Sequence, residues 1–156
     1  MARCYSAKMD LRVAAYAVIT DHDGRMLLPH WHVSGTAKGW TLPGGGLEPG
    51  EDPADGVVRE VFEESGYEAE VEQLLGIDNF IIPGDRRIHE SERGTPLQNL
   101  RIIYRARVTG GSLTVEPDGS TDAVRWFSHA EIDGLHRVSL VDIGRRFAGL
   151  LSDAAH

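Results

Sequence analysis

Residues Gly44 to Tyr67 read GGGLEPGEDPADGVVREVFEESGY, and the second half of this stretch predicts a helix from Pro53 to Ser65. Asp52 is a suitable N-cap, and Pro53 fits the first helical position, where its missing amide hydrogen costs nothing. Asp55 places negative charge near the positive end of the helix, and Gly66 stops it. Ala54, Val57, Val58, Val61 and Phe62 follow the i, i+3, i+4, i+7, i+8 spacing, so the helix should turn one apolar stripe toward a core. Glu60, Glu63 and Glu64 fall on the other side. Their spacing also clusters them on neighbouring turns, where like charges repel unless a cation intervenes. Two readings follow from these residues alone: a solvated acidic face, or an oxygen-only site suited to a hard cation such as Mg²⁺ or Mn²⁺. The glycines before the helix favour the second, because they let backbone approach a phosphate or metal closely.

Gly45, Glu51, Arg59, Glu60, Val61, Glu63, Glu64, Gly66 and Tyr67 stand at the intervals of the signature box of the Nudix hydrolases, which the stretch closely resembles. These enzymes cleave nucleoside diphosphates linked to a further moiety. Tyr67 departs from the aliphatic residue usual at the last position, but an aromatic can pack there. The strand expected before the box is matched by Trp40 to Pro43, and the Trp-Phe strand expected after it by Arg125 to Phe127. The resemblance implies an α/β fold, an α/β/α sandwich with a mixed β-sheet. It implies Glu60, Glu63 and Glu64 as Mg²⁺ ligands, with the Gly45 carbonyl as an additional one and Mn²⁺ as a substitute ion. Arg59 is expected to orient a glutamate by an ion pair, with Glu51 its first partner. Glu63, Glu90, Glu92, Glu116 and Asp122 are the candidates for general base.

The 156 residues suit one domain with a substantial core, with residues 1–10 as a frayed lead-in. A net charge of −8 with no basic run argues against broad nucleic-acid or anionic-membrane binding. Cys4 is the only cysteine, so neither an internal disulfide nor a cysteine metal cluster can form. The N-terminal residues lack the apolar stretch of a secretory signal, and no run approaches membrane-spanning length. The expected setting is the cytoplasm and the expected partner a small-molecule nucleotide, with a homodimer left open.

Leu11 to Thr20 is apolar enough for a strand buried on both faces, and Asp21 to Gly24 is turn chemistry leading to a partner strand from Arg25 to about Trp31. Together they predict a hairpin. His30 and His32 alternate on that segment, as a metal pair or as polar wall. Val33 to Gly39 reads as a loop. Glu68 to Ile82 reads as one or two strands broken near Gly76, and Pro83 to Pro96 as a long polar connection fit for a substrate loop. Gln98 to Val108 alternates as a strand carrying Arg101, Arg105 and Arg107 on one face. Arg101 and Arg105 are candidates to meet phosphates, and Trp126 to stack on a base; structural pairing and core packing are the plainer roles. Asp122 to Phe127 should be a strand. Ser128 with Glu131 predicts a capping box for a short helix ending at Gly134, and Ser139 with Asp142 another for a last helix to about Leu151.

Pro83 lies 16 residues after Tyr67, close to a spacing that the family associates with ADP-ribose pyrophosphatases, although Pro83-Gly84 is also an ordinary turn signal. ADP-ribose or a nucleotide sugar is therefore the leading substrate expectation. Nucleoside triphosphate clean-up and a nucleotide sensor without turnover are the alternatives.

Overall fold

The computed structural model describes residues 8–33, 36–114 and 121–151, apart from the side chains of residues 36, 37, 90 and 122. Strand β1 (Asp10–Ile19) lies in the middle of a four-stranded sheet of order β4-β1-β6-β5, with β4 at Gly44–Gly46, β5 at Tyr67–Ile82 and β6 at Leu97–Gly111. It runs parallel to β6 and antiparallel to β4, and β5 runs antiparallel to β6, so the sheet is mixed. A second sheet has the order β3-β2-β7, with β2 at Met26–Val33, β3 at Thr36–Trp40 and β7 at Thr121–Phe127. Helices α1 (Pro53–Ser65), α2 (His129–Asp133) and α3 (Ser139–Phe147) complete the fold.

The helices cover opposite faces. Ala15, Ala17, Leu27, Val57, Val61 and Ala106 form one core beneath α1, whereas Val18, Met26, Leu28, Ile103, Ile132 and Val141 form the other beneath α2 and α3. A strand packed on both sides must be apolar on both sides, which is why β1 reads as an unbroken apolar run. The arrangement is the α/β/α sandwich. Among the described residues, no helix is long and apolar enough to cross a membrane.

Helix α1 has the predicted limits, with the Asp52 side chain accepting from the Ala54 amide and Gly66 left-handed at the C-cap. Its apolar stripe is narrower than the pattern implies. Val57 and Val61 are fully buried, but Phe62 is 55% exposed. The predicted hairpin is not formed: Thr20 and Met26 make one bridge, and the two strands then enter different sheets. Both edges of β1 are already taken by β4 and β6, so β2 pairs with β3 and β7 instead. Trp40 to Pro43 is likewise not one strand. Trp40 ends β3, and the three glycines themselves form β4.

Strand β5 is continuous through Gly76, with the irregularity expected there absorbed as a register shift between Leu74 and Gly76. Helix α2 has its capping box. Helix α3 lacks the second one, because Asp142 turns to Arg137 and Arg145, and it ends at Phe147 before reaching Leu151.

Ile103 is fully buried on β6, whereas Ile77 on β5 is 59% exposed. Ile103→Ala is expected to cost about 2–5 kcal/mol in urea unfolding, against within about 0.5 kcal/mol for Ile77→Ala.

Candidate active site

The site forms where α1 passes the edge strand β4. Gly45 allows the close approach: a Cβ there would lie 2.8 Å from Glu60 Oε1. One turn further along α1, Glu64 accepts a hydrogen bond from the Gly44 amide at 3.2 Å. The three glutamates therefore do not share one solvent face. Glu60 and Glu64 turn toward the glycine strand, and Glu63 stays 46% exposed.

Arg59 gathers this corner. Its Nε and Nη2 donate to the two oxygens of Glu51, each at 2.8 Å, in the fork geometry that suits a carboxylate. Nη1 donates to Glu60 at 3.2 Å and to Glu63 at 3.1 Å, and Nη2 also reaches the Gly46 carbonyl at 3.3 Å. The ion pair with Glu51 is thus present, and the same guanidinium spans loop, helix and strand.

These contacts divide the carboxylates electrostatically. Hydrogen bonds from Arg59, then from the Glu48 amide, hold the Glu51 carboxyl down at about 2. Glu51 in turn raises the Arg59 guanidinium above its ordinary value. Burial lifts Glu60 and the Glu63 charge adds to that, while Arg59 and Arg12 oppose it. Burial, then the charge of Glu60, raises Glu64 well above the ordinary carboxylate range, against the Gly44 amide. Two partly buried carboxyl groups this close repel when both are charged, and a proton or a cation relieves them. The donor set fits a divalent cation of the hard class, since Glu60, Glu64 and the glycine backbone offer oxygen only. Among the described residues, no three acidic, histidine or cysteine side chains converge closely enough to hold an ion, and Glu63 is paired with Arg59.

Glu60 and Glu64 open onto a cavity of about 980 Å³. Its floor is the β1–β6–β5 part of the sheet, on the face toward α2 and α3. Arg101 belongs to its wall, 7% exposed, paired with Asp78 and stacked 4.7 Å from the Phe80 ring centroid. Glu92 also lines it and pairs with Arg87 at 3.0 Å. Arg105 instead donates to the Ala148 carbonyl at 2.9 Å. Trp126 packs on the α1 side, its indole donating to the Tyr67 hydroxyl at 3.2 Å. The structure does not bring Arg105 or Trp126 together with the glutamates. Glu116 and the side chains of Glu90 and Asp122 lie outside the described residues. His30 packs 5.0 Å from the Trp40 ring, and a register shift between Trp31 and His32 interrupts the alternation that would pair the two histidines.

Arg12, Tyr16 and Asn99 also line the cavity, and the sequence pattern did not single them out. The available signal was modest: Arg12 is the one charged residue within the apolar run from Leu11 to Ile19.

A NUDIX domain model matches residues 10–147. The chain is similar to a MutT-like protein of Streptomyces ambofaciens, 34% identical over 121 residues, covering 77% of this chain and 66% of that protein. It is also similar to the 8-oxo-dGDP phosphatase NUDT18 of Mus musculus, 31% identical over 69% of this chain and 31% of that one. The chain therefore spans less than two thirds of the length of either relative. Among solved structures, a NUDIX hydrolase from Nitrosomonas europaea superposes with a TM-score of 0.72 at 29% identity, covering 90% of this chain and 89% of that one.

The lowered Glu51 carboxyl gives a signed expectation. A carboxylate depressed on folding contributes stability above its unfolded value, near 4.5, and loses that contribution as pH falls through about 2. Thermal unfolding of the wild type and Glu51→Gln should differ at pH about 5 and converge toward pH about 2.

Proposed function

The chain belongs to the NUDIX family, and from that premise we propose that it hydrolyses a diphosphate bond in a nucleoside diphosphate derivative, with Mg²⁺ as its cofactor. The observation that carries the reading is the partly buried Glu60–Glu64 pair set against the side-chain-free strand of β4. Nudix hydrolases generally use a divalent metal. Glu60 and Glu64 would hold it; Glu63, expected as a third ligand, pairs with Arg59 on the exposed side of the helix, and Gly45 stands opposite Ala15 in the β1–β4 ladder, so that its carbonyl faces β1. The cation, when bound, supplies charge neutralisation for the diphosphate and a lowered pKa for water.

The chain's own residues supply positioning. Arg59 fixes Glu60 and Glu63 relative to Gly46, so both carboxylates keep their places without substrate. Glu63 is the general base we favour. It is the most exposed of the three box glutamates, and water reaches it. Glu92 likewise meets a guanidinium, that of Arg87, and unlike Glu63 it stands outside the box. In the reaction a water oxygen attacks phosphorus, its proton passes to the base, and the bond to the bridging oxygen breaks as the second phosphate leaves.

The cavity supports a substrate larger than a diphosphate alone. Its volume lies at the upper end of the roughly 300–1,000 Å³ typical of small-molecule sites. Phe80, Ile82, Ile88 and Leu97 give it an apolar wall away from the glutamates. ADP-ribose and nucleotide sugars, which carry a bulky group on each side of the diphosphate, are the first substrates to test. Pro83 does not line this cavity; it ends β5 and begins a 3-10 turn at Gly84–Arg86, so its position serves the turn.

Purified protein should release a nucleoside monophosphate from one of these compounds with Mg²⁺ or Mn²⁺ present, lose that activity to a chelator and regain it when the ion returns. Glu64→Gln should lower kcat by about 100-fold or more at unchanged fold. Nucleotide binding without turnover at any metal concentration would instead favour a sensor.

A further inference from the structure

Three arginines line the cavity: Arg12 on β1, Arg87 after β5 and Arg101 on β6. Two of them are neutralised in place. Arg87 meets Asp10 at 2.9 Å and Glu92 at 3.0 Å, and Arg101 meets Asp78. Arg12 is held differently. Its Nη1 donates to Asn99 Oδ1 at 3.3 Å and, at the limit of hydrogen bonding, to the Tyr16 hydroxyl at 3.5 Å. Both acceptors are neutral, and Arg12 forms no ion pair among the described residues. A guanidinium oriented by neutral groups keeps its charge available to an anion, and its planar fork matches phosphoryl oxygens.

Its position supports that use. Adjacent glycines of β4 lie against the two charged groups: a Cβ on Gly45 would fall 2.8 Å from Glu60 Oε1, and one on Gly46 would fall 3.3 Å from Arg12 Nη2. Successive residues of a strand face opposite ways, so Glu60 and Arg12 flank the bare strand from its two sides. A ligand lying along β4 meets carboxylates on one side and a guanidinium on the other. The strand register continues the line inward. Arg12 pairs with Asn99, and Asn99 with Phe80, forming one row across β1, β6 and β5. At about 4.8 Å between strands, Phe80 lies roughly 10 Å from Arg12, leaving the intervening floor to the organic part of the substrate.

We propose that Arg12 binds the phosphoryl oxygens of the substrate diphosphate beside the glutamate pair, with Asn99 as the positioning residue that orients its guanidinium. This inference rests on the diphosphate reading above, and it adds the group that separates substrate affinity from metal affinity.

Titration calorimetry with Mn²⁺ alone, and with inorganic pyrophosphate in the presence of Mn²⁺, tests it. Arg12→Ala and the length-preserving Arg12→Gln should each weaken pyrophosphate binding by about 10- to 100-fold while Mn²⁺ affinity does not fall. Arg12→Lys should recover part of the loss, since it restores the charge without the fork. Asn99→Ala should fall between Arg12→Lys and the wild type. Pyrophosphate binding that is unchanged in folded Arg12→Gln, that falls only in parallel with Mn²⁺ affinity, or that is absent from the wild type would overturn the assignment. Binding that depends on Arg12 in a protein that hydrolyses no diphosphate ester would sink the functional reading and leave this one standing.

Discussion

The site depends on one guanidinium. Arg59 sits on the polar side of α1 and reaches the loop glutamate Glu51, its neighbours Glu60 and Glu63, and the Gly46 carbonyl of the edge strand. Without that cation, four carboxylates would crowd one helix and the loop before it, and their repulsion would splay the loop from the helix. With it, the loop is drawn onto the helix and the helix onto the strand. The order of these contacts matters: the forked pair with Glu51 anchors the arginine, and the longer bonds to Glu60 and Glu63 set where those carboxylates stand. Arg59 therefore acts through geometry, and a lysine, which offers a point charge, cannot reproduce its four simultaneous contacts.

That corner opens onto a cavity because the sandwich places it beside the middle of a sheet. Helix α1 covers one face, α2 and α3 cover the other, and β4 is the short edge strand between the glutamates and the cavity floor. Three consecutive glycines make that strand thin. Side chains there would strike the backbone of β1 at Gly44 and the Glu60 carboxyl at Gly45, and would press on the Arg12 guanidinium at Gly46. Glycine is thus used here for close approach more than for turning the chain.

Local signals carried much of this. The limits of α1 were legible because its cap residues, first-turn proline and terminal glycine all agree, and the strand character of β6 was legible from its alternation. Pairing was not. The hairpin expected at Asp21 to Gly24 failed because turn chemistry specifies a reversal and not a partner, and β1 had both edges engaged by segments far away in the chain. The loop expected over Val33 to Gly39 concealed β3, which the short sequence Thr36–Trp40 announces with little pattern of its own. Among the site residues, the box glutamates were visible because their spacing is local. Arg12 and Asn99 meet across strands 87 residues apart, and no periodicity within either strand encodes that contact. Arg101 and Arg105 looked equivalent in sequence, yet one faces the cavity beside Asp78 and the other ties β6 to the end of α3.

Glu60 and Glu64, partly buried together against a bare glycine strand, are proposed as the binding place of a divalent cation. Anomalous X-ray scattering from crystals equilibrated with Mn²⁺ tests this most directly. A manganese peak is expected in contact with the Glu60 and Glu64 carboxylates, absent from crystals of Glu64→Gln. A peak elsewhere on the molecule, or one that persists unchanged in Glu64→Gln, would contradict it.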